Sequence, residues 1–132
     1  MGLRIALIIR PGVVEERLNE LHAGVATLRA QGHEVTPRVT FESGDGRRLA
    51  MAAARTGYDL VIAAGGDGTL NEVVNGLTRA ESPPRLAVVP LGTANDFAVG
   101  LRLPAEVGAA MRVAVEGEPR TVDVARVNDR YC

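Results

Sequence analysis

The sequence alternates short apolar runs with longer segments in which apolar residues recur at helical spacing, and this alternation limits the possible folds more than any other feature. The short runs predict four buried strands, at residues 3–9, 35–40, 60–64 and 86–89. The amphipathic segments predict four helices, at residues 14–28, 47–55, 69–77 and 105–115. Strands that alternate with helices form a parallel sheet with helices on both faces. The sequence therefore predicts a three-layer α/β domain, and the order of its strands stays open.

Turn residues and capping residues mark the ends of these elements. Ser43 or Asp45 is predicted to cap the second helix at its beginning. Gly57 is predicted to end the same helix. Residues 121–132 are predicted to form a hairpin around Asn128-Asp129.

The composition excludes several ways of binding a phosphate. All 15 basic residues are arginine, so the chain has no lysine for a Walker A loop, a protein-kinase strand or a Schiff base. The net charge of −1 gives no basic surface for nucleic acid, and a nucleic-acid partner is not expected. The single cysteine provides no disulfide framework, which favours a cytoplasmic location. A phosphate would have to be bound by backbone N–H groups, hydroxyl groups or arginine.

Glycine is concentrated between the third strand and the third helix, in GGDGTLNE at residues 65–72. Gly65, Gly66 and Gly68 can adopt positive φ and carry no Cβ, which would let the backbone approach a phosphate closely. The first N–H groups of the following helix, with its dipole, form a potential anion site. The stretch therefore predicts a phosphate-binding loop, with a tight turn that binds no ligand as the alternative.

The polar residues of this stretch also have structural alternatives. Asp67 is expected to bind a cation, to orient a hydroxyl group or to cap the helix. Thr69 and Glu72 match the capping box, in which each side chain accepts a hydrogen bond from the backbone N–H of the other residue. Asn71 is expected to face either a ligand or solvent.

A second loop of similar chemistry follows the fourth strand, within LAVVPLGTANDFA. Gly92 adds backbone freedom, and Thr93 and Asn95 supply short hydrogen-bonding side chains. Loops that follow the carboxyl ends of parallel strands gather at one edge of the sheet. The two loops are therefore predicted to close around a single ligand.

The two motifs GGDGTLNEVVNG and PLGTANDFA together resemble the diacylglycerol kinase catalytic-domain family, and its YegS-like lipid kinases most closely. The stretches RVTFESGDGRR and TVDVARVN resemble the same family. The resemblance implies an NAD kinase-like and diacylglycerol kinase-like, Rossmann-related nucleotide-binding domain, followed in the family by a β-rich second domain. It also implies transfer of the γ-phosphate of ATP to a lipid hydroxyl, with Mg²⁺. Arg10-Pro11 departs from the Asn-Pro that many relatives carry after the first strand.

The resemblance implies roles for particular residues. Asp67 is implied as the catalytic residue of this chain and the one least tolerant of change. The expected nucleotide-binding residues, from the resemblance and the two loops, are Thr40, Gly65, Gly66, Asp67, Gly68, Thr69, Leu70, Asn71, Glu72, Gly92, Thr93 and Asn95. No metal ligand is assigned in this chain, because the Mg²⁺ ligands and the general base of the family lie in the second domain.

The expected domain organisation follows from the same resemblance. Residues 1–119 are expected to form the nucleotide-binding domain, and residues 120–132 to begin a truncated β-rich domain. Such a fragment is expected to be inactive alone, and the lipid would be diacylglycerol or a phosphatidylglycerol-like molecule. A peripheral membrane contact through the second domain and a homo-oligomer are compatible with this organisation.

Two alternative functions stay open. One is a small-molecule kinase such as an NAD kinase or a phosphofructokinase-like enzyme, which shares G-G-D-G but not the P-L-G-T-A-N-D-F block. The other is a non-catalytic nucleotide-binding module.

Overall fold

The computed structural model describes residues 2–11, 15–91, 106–117, 126–127 and 130–131, and within them the predicted alternation of strands and helices is confirmed. The strands are β1 (Arg4–Ile9), β2 (Glu34–Val39), β3 (Leu60–Gly65), β4 (Arg85–Pro90), β5 (Arg126–Val127) and β6 (Arg130–Tyr131). The helices are α1 (Glu15–Ala30), α2 (Asp45–Arg55), α3 (Asp67–Leu77) and α4 (Val107–Glu116). The predicted ends of β1 to β4 and of the four helices lie within two residues of those observed.

The strand order decides where a ligand can bind. The strands β1 to β4 form one parallel sheet in the order β2-β1-β3-β4. The chain moves outward from β1 to β2, then returns past β1 to β3 and continues to β4. The direction of winding therefore reverses between β1 and β3, and ligands of open α/β sheets bind outside the carboxyl ends of the strands at such a point.

The central strands are buried on both faces and supply two separate cores. Their side chains alternate between the faces, as expected for a period of two. The core against α1 and α4 includes Ile5, Leu7, Leu60, Ile62 and Met111. The core against α2 and α3 includes Ala6, Ile8, Ala50, Val61 and Val73. Each Ile, Leu or Val that these cores bury fully contributes about 1.5–3 kcal/mol relative to an exposed position.

The helices α2 and α3 lie on the same face and approach each other closely at Gly76. A Cβ on Gly76 would lie 2.5 Å from the carbonyl oxygen of Arg47 and 2.8 Å from the Cβ of Ala50. Glycine is therefore required for this packing distance. Because α2 and α3 each follow a parallel strand, their beginnings lie side by side at the carboxyl edge of the sheet.

The beginning of α2 is capped differently from the prediction. Its N-cap residue is Gly44, which has a φ of 93° and makes no side-chain capping hydrogen bond, so the predicted caps Ser43 and Asp45 are wrong. Asp45 is the first helical residue and accepts hydrogen bonds from the amides of Phe41 and Glu42 instead. The positive φ of Gly44 favours glycine there, because residues that carry a Cβ rarely adopt that backbone conformation. Gly57, with a φ of 79°, follows the end of α2 as predicted.

The predicted hairpin near the end of the chain is present in its described part. β5 and β6 pair in the antiparallel direction. Residues 121–125, 128–129 and 132, which the prediction also included, lie outside the described residues.

Candidate functional site

A cleft of about 390 Å³ lies at the carboxyl ends of β1, β2 and β3, next to the reversal of the sheet. Its volume is within the range of small-molecule sites, about 300–1,000 Å³. It is lined by Arg10, Pro11, Thr40, Phe41, Glu42, Ser43, Gly46, Gly68, Thr69 and Glu72. Four of the predicted nucleotide-binding residues, Thr40, Gly68, Thr69 and Glu72, are therefore brought together in one cleft.

The glycine loop, residues 65–68, turns β3 directly into α3. Gly66 is the N-cap residue of α3, and its φ of −100° and ψ of −165° are extended. The positive φ that glycine permits is not used in this loop, since positive φ occurs among the described glycines at residues 32, 44 and 57.

The glycine at residue 65 is required for space and not for φ. A Cβ on Gly65 would lie 2.6 Å from the Oγ1 of Thr69 and 3.3 Å from the Cβ of Arg10. Thr69 itself is buried, with 5% of its surface exposed. The close approach of β3 to the first turn of α3 therefore excludes any side chain at this position.

Gly68 differs from Gly65, because its surroundings are open. A Cβ there would have the Nη1 of Arg10 at 3.7 Å as its nearest contact, which is an ordinary van der Waals distance. Gly68 lines the cleft directly and is the second residue of α3. A larger residue would fit the fold but would occupy the cleft.

Arg10 brings a positive charge to the same end of the cleft. Its backbone N–H donates to the carbonyl oxygen of Ala64 at 3.1 Å, which fixes the residue beside β3. Its guanidinium lies above Gly68, and none of the described carboxylates pairs with it. The departure of this chain from the Asn-Pro of many relatives therefore places an arginine in the cleft.

Glu72 does not form the predicted capping box with Thr69. Its Oε1 accepts hydrogen bonds from the amides of Gly44 at 2.9 Å and Gly46 at 3.1 Å, at the beginning of α2. The capping interaction therefore connects two helices instead of closing one. A carboxylate at this place satisfies backbone donors of α2 and complements the dipole of that helix.

Asp45 organises the chain between β2 and α2. Its Oδ2 accepts from the amides of Phe41 at 2.6 Å and Glu42 at 2.8 Å. The hydrogen bonds from Glu42 and Phe41, and then the guanidinium of Arg48, hold the pKa of Asp45 below its usual value of 3.8. Asp45 is therefore ionised at neutral pH.

The remaining predicted site residues lie in several places. Leu70 is buried in the core between the sheet and helices α2 and α3, and the side-chain oxygen of Asn71 accepts a hydrogen bond from Asn75 at 2.6 Å. Asp67 begins α3 one residue after Gly66 and is not among the residues that line the cleft. Gly92, Thr93 and Asn95 lie outside the described residues.

Sequence reasoning missed the contribution of residues 41–43, which come directly after Thr40. Phe41 is the most notable of them, because its side chain is 91% exposed while it lines the cleft. The signal was present in RVTFESGDGRR, where an aromatic residue stands among polar ones in a chain that has only four aromatic residues. Phe41 could not be identified as a cleft residue from the sequence, because the position of the cleft depends on how the strands pair.

The described part of the chain has neither a cluster of metal ligands nor a membrane-spanning helix. It contains no group of three or more His, Cys, Asp or Glu residues arranged to hold a metal ion. None of its helices has the length and apolar character needed to cross a bilayer.

Comparison with known proteins gives consistent matches along the chain. Residues 5–127 match the family model described as the diacylglycerol kinase catalytic domain. A protein of Chromohalobacter salexigens named "Probable lipid kinase YegS-like" is 50% identical over 87% of this chain and 38% of its own length. A Staphylococcus aureus diacylglycerol kinase is 39% identical over 99% of this chain and 42% of its own length.

A solved structure supports the same grouping. The crystal structure of a diacylglycerol kinase from Bacillus anthracis matches 97% of this chain and 45% of its own, with a TM-score of 0.84 and 30% identity. The chain thus spans less than half the length of the proteins it matches.

Proposed function

This chain belongs to the diacylglycerol kinase catalytic-domain family, and we propose that it is the ATP-binding portion of a lipid kinase. The full reaction would transfer the γ-phosphate of ATP to a lipid hydroxyl, of diacylglycerol or a phosphatidylglycerol-like molecule. The observation that supports ATP binding most directly is the cleft at the carboxyl ends of β1, β2 and β3. It combines an arginine, a glycine-initiated helix and hydroxyl side chains within about 390 Å³.

The described residues can perform the positioning that phosphoryl transfer requires. Phosphoryl transfer depends on orientation and charge stabilisation more than on covalent chemistry by the protein. Backbone N–H groups at the beginning of α3 and the guanidinium of Arg10 would bind phosphate oxygens. The hydroxyl groups of Thr40 and Thr69 are further hydrogen-bonding groups of the cleft.

Asp67 is proposed as the catalytic residue within this chain, acting on the nucleotide or on its metal ion. Gly92, Thr93 and Asn95 are proposed to complete the nucleotide site from the next loop. Mg²⁺ would neutralise charge on the phosphates when it is bound. The described residues do not themselves assemble a magnesium site, and we propose that its ligands and the general base come from a β-rich second domain, which residues 120–132 would begin.

The other properties follow from the same proposal. Residues 1–119 would act as the nucleotide-binding domain of a cytoplasmic enzyme that contacts a membrane peripherally through its second domain. A homo-oligomer is compatible with this arrangement. The chain alone would bind ATP without transferring phosphate.

Two glycines at equivalent helix positions provide a test of ATP binding. Gly68 and Gly108 are the second residues of α3 and α4, and a Cβ on either has only contacts of 3.4 Å or more. Gly68 lines the cleft, whereas Gly108 lies on the opposite face of the sheet. We expect Gly68→Val to weaken ATP binding on the order of tenfold or more by filling the phosphate end, and Gly108→Val to leave it unchanged.

The measurement is calorimetric titration of the chain with ATP and Mg²⁺, with the urea midpoint of each variant as the check on folding. Equal ATP affinity of Gly68→Val and wild type would place the nucleotide elsewhere. A folded wild-type chain that fails to bind ATP would overturn the proposal itself.

A further inference from the structure

One wall of the cleft is formed by the β2–α2 segment, residues 40–46, in which two carboxylates occupy several of the backbone donors. The amides of Phe41 and Glu42 donate to Asp45, at 2.6 and 2.8 Å. The amides of Gly44 and Gly46 donate to Glu72, at 2.9 and 3.1 Å. Four N–H groups of the segment are therefore bound by two carboxylates.

This arrangement makes the β2–α2 wall of the cleft unsuitable for a polyphosphate. The four N–H groups of Phe41, Glu42, Gly44 and Gly46 are occupied, and the two carboxylates that occupy them repel an anion. Glu42 adds a third carboxylate to that wall. By contrast, Arg10 and the dipole of α3 supply positive charge near Gly68. A nucleotide in this cleft would therefore place its phosphates near Gly68 and its base toward the β2–α2 segment.

Phe41 lies on this wall of the cleft, with its side chain held out toward solvent. It is 91% exposed, although a large apolar side chain gains free energy from burial. Its backbone is fixed by two hydrogen bonds, one from its own amide to Asp45 and one from the following amide. The ring is thus presented on an ordered backbone, and stacking of a base on an aromatic side chain is worth about 1–3 kcal/mol.

We propose that Phe41 is the aromatic platform on which the base of the nucleotide stacks, with the phosphates directed toward Arg10 and Gly68. The inference rests on the proposed ATP binding and adds an orientation of the ligand and a side chain that contacts its base. The carboxylates of Asp45 and Glu72 act as positioning groups, because they hold the segment that presents Phe41.

Binding of ATP and of inorganic tripolyphosphate, compared across Phe41 variants, tests this inference. Tripolyphosphate has the charge of the phosphate chain but no base. We expect Phe41→Ala to weaken ATP binding on the order of tenfold and to change tripolyphosphate binding less than about twofold. Phe41→Leu should fall between the two, because it keeps apolar area without an aromatic face, and Phe41→Trp should bind ATP at least as well as wild type. All three variants should keep the wild-type urea midpoint, because the side chain is exposed.

The outcomes separate this inference from the proposed function. Absence of ATP binding to the folded wild-type chain would overturn both. ATP binding that is equal in wild type and Phe41→Ala would overturn the stacking role and leave ATP binding intact. Equal losses of ATP and tripolyphosphate binding in Phe41→Ala would show that Phe41 acts on the phosphates, and would overturn the proposed orientation. A wild-type dimer that Phe41→Ala converts to a monomer, with unchanged ATP affinity, would assign the ring to an interface between copies and overturn the inference as well.

Discussion

The beginnings of α2 and α3 lie side by side on one face of the sheet, yet the sequence equips them in opposite ways. At α2, the amides of Gly44 and Gly46 are bound by the carboxylate of Glu72. At α3, the N-cap residue is Gly66, which has no side chain and makes no capping hydrogen bond from one. Two helix ends with the same dipole and similar glycine content therefore have different chemistry.

A glycine-rich helix start is therefore not in itself an anion site. The segment SGDG at the beginning of α2 and the segment GGDG at the beginning of α3 have three of four residues in common. What separates them is the carboxylate that α3 extends to α2, together with the arginine that the end of β1 places beside α3. Both side chains line the cleft, where Glu72 supplies negative charge and Arg10 supplies positive charge.

The largest expected effect comes from removing the carboxylate that closes α2. Glu72→Ala leaves the amides of Gly44 and Gly46 without their partner, and charged hydrogen bonds of this kind are worth about 1.5–3 kcal/mol. We expect the free energy of unfolding to fall by about 2 kcal/mol, as measured by urea denaturation. Glu72→Gln should lose about half as much, because the amide oxygen still accepts but carries no charge.

The matched control for Glu72 is Glu20→Ala, at an exposed position of α1 on the other face of the sheet. A change within about 0.5 kcal/mol is expected there. If Glu72→Ala is as stable as Glu20→Ala, the hydrogen bonds from Gly44 and Gly46 to Glu72 do not stabilise the beginning of α2.

The second prediction compares two arginines near these helix starts. Arg48 contacts the carboxylates of Asp45 and Glu42, whereas none of the described carboxylates pairs with Arg10. We expect Arg10→Gln to weaken ATP binding on the order of tenfold, because a charged phosphate contact is lost. Arg48→Gln should change the ATP affinity less than about twofold. Titrations at low and high salt would check the assignment, since the loss caused by Arg10→Gln should shrink as salt rises; equal losses for the two variants would contradict it.

The smallest expected effect concerns the pH dependence of stability at the α2 side. The pKa of Asp45 is below 3.8 in the folded chain, so the unfolded chain binds a proton more readily than the folded one. The stabilisation by Asp45 is therefore fully present above its unfolded pKa and is lost as the pH falls through its folded pKa. Urea midpoints of wild type and Asp45→Asn should differ at pH 6 and converge as the pH falls below 3.8. A difference that stays constant over this range would contradict the role given to the ionised carboxylate.

Much of the fold could be predicted from the sequence, because it depends on local patterns. The apolar runs of β1 and β3 and the helical spacing of α1 are properties of neighbouring residues, and they gave the elements and the three-layer class. Glu72 shows where this reasoning fails. Its spacing from Thr69 fits the capping box, but its carboxylate reaches amides 26 and 28 residues earlier in the chain. The capping box predicted within α3 is replaced by a contact between α3 and α2, which the spacing of residues along the chain does not reveal.

Only part of the candidate site could be predicted from the sequence. The glycine loop and Thr40 were identified from motifs and from resemblance, and the structure brings Thr40, Gly68 and Thr69 into one cleft. Arg10 was noticed only as a departure from relatives, and Phe41 was not assigned at all. Both lie in the cleft because β1 and β2 are neighbours whose carboxyl ends meet beside β3.

The alternation of strands and helices and the glycine loop after the third strand could be predicted, because apolar spacing and turn residues are properties of consecutive residues. The position of β1 between β2 and β3, the capping of α2 by Glu72, and the meeting of Arg10 and Phe41 in one cleft appear only in the folded chain. These outcomes depend on which distant segments pack together. The packing of α2 against α3 at Gly76 is one such contact between distant segments.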